Sequence, residues 1–282
     1  MGLGEIWFTE KHNPASGFSL KVNKFIFEKK SKYQRIVIFD NNDYGRIFLL
    51  DDLIMLTQKD EFTYHEMLTH PALFTHKNPK DVLIIGGGDG GTAREILKHK
   101  TVKHLDLVEI DKDVIETSKK YLKFCGKALN DKRLKVIIQD GIKFVKNTDK
   151  KYDLIFVDST DPIGMAKGLF SKNFYKNCYK ILKEDGILTT LSESPFNDPK
   201  WTKEIFKNLK AVFKNVFLYL SFVPAYPSGV WSFCMASKIY HPLKDFQEKR
   251  YKNFDSKNKY YNKEIHFACF CLPEFVKDLI NA

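Results

Sequence analysis

The chain has 282 residues, 43% hydrophobic and 29% charged, enough for one large domain or one domain with a small appendage. No apolar run could cross a bilayer, the N-terminus lacks a basic-then-apolar leader, and the odd set of five cysteines contains no CxxC pair. Membrane insertion, a disulfide framework and a zinc finger are therefore set aside, and a cytoplasmic protein with free thiols is expected. The net charge of +11, from 46 Lys plus Arg against 35 Asp plus Glu, is spread along the chain with no arginine-rich tract. It reads as a solvated surface, and no nucleic-acid partner is expected.

In chain order, residues 18–57 read as short antiparallel strands. Phe25 and Phe27, then Ile36 and Ile38, alternate with other residues, and the turn-forming Asp40-Asn41-Asn42-Asp43 precedes Gly45-Arg46-Ile47-Phe48. Residues 60–66, Asp-Glu-Phe-Thr-Tyr-His-Glu, read as a loop or the start of a helix. From residue 81 strands and helices alternate. Strands are expected over 82–85, 104–108, 134–139, 154–157, 187–191 and 216–220, and helices over 91–97, 113–121, 142–146, 174–182 and 201–213. That rhythm predicts a mainly parallel α/β sheet with right-handed crossovers, whose ligands sit beyond the carboxyl ends of the strands. Pro224 to Gly229 reads as a rigid turn between two strands, and the lysine-rich stretch 244–263 as a surface helix or loop.

The strand ends carry the chemistry. The first ends in Gly86-Gly87-Gly88-Asp89-Gly90-Gly91, which satisfies G-x-G-x-x-G between a strand and a helix. The second ends at Glu109, twenty residues after Asp89, where an acid can accept from both ribose hydroxyls. A dinucleotide is disfavoured by Asp89. Pyrophosphate seeks exposed N–H groups at a helix N-terminus, and a carboxylate about 4 Å away would cost on the order of 4 kcal/mol. The loop suits instead a nucleoside with a cationic tail and no carboxylate. Asp89 can also cap the following helix. The third strand ends in Asp140-Gly141, where the acid either accepts from an adenine amino group or caps the next helix. The fourth ends in Asp158-Ser159-Thr160-Asp161-Pro162, and Pro162 blocks an immediate helix. Paired acids on that loop can hold a diamine, act as acid and base, or bind a metal. Metal is least favoured because no histidine or third acid is near in sequence.

Taken together, the segments LDDLIMLTQKDEFTYHEML, VLIIGGGDGG, VEIDKDVI, QDGIKF, DSTDPIG, ESPF, PAYPSGVWSF and YYNKEIHFACFCLPEF resemble the polyamine aminopropyltransferases, the spermidine synthase family, in family order across almost the whole chain. The resemblance implies a small N-terminal antiparallel β domain over 1–60 and a Rossmann-like, class I methyltransferase-like catalytic domain over 61–282, in a homodimer or homotetramer. It implies transfer of an aminopropyl group from decarboxylated S-adenosylmethionine, a co-substrate rather than a cofactor, to putrescine, giving spermidine and 5′-methylthioadenosine. Gln34, Glu109, Asp140 and Gly141 then correspond to contacts with the thioadenosine part, and Asp89 to the acid that holds the aminopropyl ammonium. His65, Asp161 and Tyr226 correspond to the polyamine pocket. Asp158 corresponds to the proton acceptor, which also touches the amine, and Tyr64 to a residue supporting the attacking amine. No metal is implied.

Two positions depart from the family pattern: Met165 stands where proline is common, and Leu191 where glutamine is common. Cadaverine or agmatine would use the same aspartates as putrescine. An S-adenosylmethionine methyltransferase is the nearest rival, and it gives Asp89 and the Asp158/Asp161 pair no task.

Overall fold

The computed structural model describes residues 4–162 and 164–281. Strands β1 (Trp7–Asn13) and β2 (Ser16–Lys21) form a two-stranded ribbon. Strands β3 (Lys24–Lys30), β4 (Arg35–Asn41), β5 (Gly45–Leu50) and β6 (Leu53–Thr57) form a four-stranded antiparallel meander. The sheet expected over residues 18–57 is thus the meander, and a separate hairpin begins ahead of that region at Trp7. The meander buries Ile36, Ile38 and Phe48 on one face against Val114 and Leu122. Its other face covers Val37, Phe39 and Ile47, which pack with Leu20 and Ala225. Both faces are thus covered, so β4 and β5 read as apolar runs rather than as an alternation.

Helix α1 (Glu61–Thr75) follows, and it is buried on nearly every side. It contains Pro71, which cannot donate to the carbonyl four residues earlier. That carbonyl, on Met67, accepts instead from the Tyr219 hydroxyl at 2.9 Å. The last turn is capped by Arg250, whose guanidinium donates to the Leu73 carbonyl.

The remaining chain alternates as β7 (Asp81–Gly86), α2 (Gly91–Leu97), β8 (His104–Glu109), α3 (Lys112–Tyr121), β9 (Leu134–Ile138), α4 (Gly141–Asn147), β10 (Tyr152–Asp158), α5 (Lys172–Ile181), β11 (Leu182–Leu191), α6 (Pro199–Lys210), β12 (Asn215–Phe222) and β13 (Val230–Ser237). Every strand and helix expected from residue 81 to 220 is present, with bounds within a few residues. The sheet order is β12-β13-β11-β10-β7-β8-β9. The pairings from β11 to β9 by way of β10, β7 and β8 are parallel, and β13 and β12 complete one edge antiparallel. Strand β10 is buried at all seven positions, as expected of a parallel strand covered on both faces. Strand order reverses between β7 and β10, so the crevice above their carboxyl ends is the switch point where such sheets take ligands.

Helices α7 (Glu248–Lys252), α8 (Lys263–Ala268) and α9 (Glu274–Asn281) close the chain. The lysine-rich stretch is not merely surface. Glu66 of α1 is buried, and its carboxylate accepts the backbone N–H groups of Lys259, Tyr260 and Tyr261 at 2.8–2.9 Å. Among the described residues, no helix is long and apolar enough to cross a membrane.

Candidate active site

The carboxyl ends of β10, β7, β8 and β9 are neighbours, and they bring Asp158, the glycine loop, Glu109 and Asp140 to one rim. Asp158 lies opposite Gly86 in the parallel register, and its carbonyl accepts from the Gly87 N–H at 2.7 Å. Gly86 has φ +83°, and a Cβ there would lie 2.1 Å from that carbonyl oxygen, so only glycine lets the two strand ends close. At the start of α2 the constraint is space. A Cβ on Gly91 would meet the His65 ring at 2.2–2.5 Å.

Helix α1 supplies consecutive side chains to this rim. The Tyr64 hydroxyl donates to Asp158 Oδ1 at 2.9 Å, and the Thr92 hydroxyl of α2 donates to Asp158 Oδ2 at 2.6 Å. Both carboxylate oxygens are therefore oriented, and each keeps a second lone pair. Asp158 is 9% exposed. Burial and then the nearby Asp89 push its pKa up to about 6, against the opposing pull of His65, Thr92 and Tyr64. Burial and Asp158 hold the Tyr64 phenol well above its ordinary value, so it serves as a donor.

His65 is held between two carboxylates. Its Nδ1 is 2.7 Å from Glu61 Oε2, and its Nε2 is 3.3 Å from Asp89 Oδ1. Arg94 binds Glu61 through two parallel N–H bonds of 2.8 Å. Burial disfavours the imidazolium, but Asp89 and Glu61 outweigh it and hold the pKa well above the ordinary histidine value. Asp89 is pushed up by burial and pulled below its usual value by His65 and the Gly91 N–H. That N–H, 2.7 Å from Asp89 Oδ1, makes the acid a partner of the first turn of α2 as well as a wall of the crevice. Donor atoms of His65, Asp89 and Asp158 lie within 4.8 Å of one another. Both nitrogens of His65 face carboxylates, an arrangement that favours the doubly protonated ring.

The Glu109 side of the rim is equally ordered. Glu109 is buried, accepts from the Asp111 N–H at 2.9 Å, and is pushed up to about 7 by burial and then by the neighbouring Asp111. The Gln34 amide donates to Asp111 Oδ2 at 3.1 Å, which brings the β3–β4 connection beside Glu109. Asp140 caps α4, accepting from Ile142 N at 2.8 Å and Lys143 N at 3.3 Å. Gly141 packs on Ile85, where a Cβ would stand 2.5 Å away.

The Tyr226 hydroxyl donates to the Met55 carbonyl at 2.6 Å, and its ring stands edge-on to Tyr64. Asp60 ties the same turn down, accepting from Ala225 N at 2.8 Å. Asp161 is pushed up to about 6 by burial and then by Asp198. Glu193 is buried, its Oε1 has no hydrogen-bond partner, and burial with Asp161 and Asp198 holds it well above the carboxylate range. Glu10, whose carboxylate accepts from Ile54 N at 2.6 Å, reaches about 7 through burial, with Asp161 adding to the rise. Glu10, Asp161, Glu193 and Asp198 thus form a group of neighbouring acids whose mutual repulsion adds to burial in raising Glu10, Asp161 and Glu193.

The structure brings Tyr64, His65, Asp89 and Asp158 into one cluster, sets Tyr226 against Tyr64, and places Gln34, Glu109, Asp140 and Gly141 by the neighbouring strand ends and Asp161 on the loop after β10. Sequence reasoning gave no task to Thr92, Glu61, Arg94, Asp60, Glu10, Glu193 or Asp198. Only Thr92 carried a signal, as a hydroxyl in the first turn after the glycine loop. Of the two departures, Met165 is 63% exposed, and Leu191 is buried at the end of β11 opposite Phe233.

Comparison with known proteins agrees with this arrangement. Residues 61–248 match the spermine/spermidine synthase domain, and residues 6–58 match the spermidine synthase tetramerisation domain. A polyamine aminopropyltransferase of Caldicellulosiruptor saccharolyticus is 50% identical over 277 residues, covering 98% of this chain and 99% of the relative. A crystal structure of spermidine synthase in complex with the transition state analogue AdoDATO superposes with a TM-score of 0.96 at 45% identity, covering 98% of this chain and 95% of that one. Spermidine synthase from Thermotoga maritima gives 0.93 at 43% identity, with 98% and 94% covered. With both of its regions matched and its length spanned, the chain belongs to the spermine/spermidine synthase family.

Proposed function

We propose that this chain moves the aminopropyl group of decarboxylated S-adenosylmethionine onto putrescine, giving spermidine and 5′-methylthioadenosine in polyamine biosynthesis. The observation that carries the reading is the oriented, buried Asp158 carboxylate facing a glycine loop whose own acid, Asp89, suits a cation. The donor's sulfonium leaves as a neutral thioether, so no general acid is needed. The amine nitrogen attacks the methylene carbon, the C–S bond breaks with its electron pair on sulfur, and one ammonium proton must depart.

An alkylammonium has an ordinary pKa near 10.4 and is mostly protonated at neutral pH. Asp158, at about 6, is suited to bind that ammonium and take its proton, releasing it to water afterwards. Tyr64 and Thr92 aim its oxygens. Asp89 serves the aminopropyl ammonium, Gln34, Glu109, Asp140 and Gly141 the thioadenosine, and His65, Asp161 and Tyr226 the polyamine pocket, with His65 also bordering Asp89. No further cofactor or metal has a task in this scheme, and a cytoplasmic setting matches its substrates.

We read residues 1–60 as the assembly domain and 61–282 as the catalytic domain of a homodimer or homotetramer. The exposed Ile6, Trp7 and Phe25 favour self-association at the N-terminal end. Incubation with the donor and a panel of putrescine, cadaverine and agmatine, followed by mass spectrometry, tests the function. An aminopropyl adduct of putrescine as the main product is expected. Methyl transfer, or no adduct with any amine, would overturn it.

A further inference from the structure

His65 lies where the donor's ammonium is assigned. Its Nε2 faces Asp89 at 3.3 Å, and its other nitrogen is fixed on Glu61, which Arg94 clamps. The anchoring bond sets which proton can leave. Glu61 accepts a hydrogen bond from Nδ1–H, so a neutral His65 in this position carries its lone pair on Nε2, aimed at the crevice. We propose that in the empty pocket a proton on His65 Nε2 occupies the cation position of Asp89, and that the ammonium of the incoming donor replaces it, the proton leaving to solvent. The step rests on the functional reading above. It balances as one proton lost from imidazolium for one ammonium gained, and it turns Nε2 from a donor to Asp89 into an acceptor from the ligand.

Charge around the ring favours the exchange. His65 faces Glu61 on its own helix, Asp89 on the β7–α2 loop and Asp158 on β10. Arg94 stands behind Glu61, and the Tyr64, Tyr226 and Cys125 side chains lie around the same carboxylates and remain neutral. A second full cation on Asp89 removes the attraction that sustains the imidazolium. Glu61, already shared with Arg94, then holds a neutral ring in register. Glu61 and Arg94 thus act as positioning residues for His65.

The direct test is nitrogen NMR of the wild-type protein labelled at histidine, with His65→Gln identifying the resonances. The free protein is expected to show imidazolium at His65. Decarboxylated S-adenosylmethionine without acceptor is expected to convert Nε2 to the unprotonated form, and 5′-methylthioadenosine, which lacks the ammonium, is expected to leave it protonated. Calorimetry in two buffers of different ionisation heat supplies the count. At and just above neutral pH the donor should release about one proton more than 5′-methylthioadenosine does, and its affinity should rise about tenfold per pH unit. Asp158 is already ionised over that range, and Glu109 meets both ligands alike. His65→Gln should bind the donor with that slope abolished. If the donor binds and is turned over while His65 stays imidazolium, the exchange is wrong and the enzymatic reading stands. If the donor does not bind or react, both fall.

Discussion

Replacing Tyr64 by Phe keeps the ring that packs on Tyr226 and Phe233 and removes one hydroxyl, the donor to Asp158 Oδ1 at 2.9 Å. A hydrogen bond to a charged group contributes about 1.5–3 kcal/mol, and a pKa unit corresponds to 1.36 kcal/mol. Losing the bond disfavours the carboxylate, so Asp158 rises from about 6 by roughly one to two units. At neutral pH its ionised fraction drops from roughly nine tenths to somewhere between one half and one tenth. The assay is kcat/KM for aminopropyl transfer across pH, whose acidic limb reports the free enzyme's base. The limb should move to higher pH in Tyr64→Phe, with most of the lost activity recovered above about pH 9. A uniform drop with an unmoved limb would refute the claim that the hydroxyl acts through the charge of Asp158.

Three further outcomes follow from the same geometry. Thr92→Val removes the 2.6 Å bond to the other oxygen and should displace the acidic limb in the same direction, with Thr92→Ser restoring it; kcat/KM against pH checks both. Asp161 is raised to about 6 from an unfolded value of 3.8, so the folded state binds more protons in between, and its ionisation costs stability as pH rises through that window. Asp161→Asn should therefore unfold at a higher temperature than wild type at about pH 8 and at nearly the same temperature at about pH 4, by scanning calorimetry without ligand. Trp7→Glu with Phe25→Glu should lower the assembly size measured by light scattering while the far-ultraviolet circular dichroism is kept; an unchanged mass would reject the N-terminal surface as an interface.

The parallel half of the fold was legible because its determinants are local. The strands from β7 to β10 are short and mostly apolar, each has a glycine or an acid at or within two residues of its end, and Asp111, Asp140 and Ser171 cap α3, α4 and α5 by accepting from their first turns. Helix α1 was not legible as a full helix. It is buried all round, so no apolar stripe marks it, and Pro71 interrupts its pattern; only the distant Tyr219 makes that proline tolerable. The site divides the same way. Asp89, Glu109, Asp140 and Asp158 are strand ends, which topology gathers by rule. Thr92, Glu61 and Arg94 meet partners far away in sequence, and no local spacing announces a hydroxyl aimed across a sheet or a buried acid such as Glu193 whose Oε1 is left unpaired. The N-terminal hairpin was missed because Trp7 to Asn13 is mostly solvent-facing and carries no alternation of apolar and polar residues.

The docking of Glu66 by Lys259, Tyr260 and Tyr261 has a consequence for a shortened chain. Helix α1 presents Tyr64 and His65 to the crevice, yet the charge of its next residue is satisfied only by backbone made nearly two hundred residues later. In a chain clipped before residue 259, Glu66 would lose all three of these donors, on the same helix that carries Tyr64 and His65. The far C-terminal backbone is thus a support of the crevice that no residue of the crevice touches.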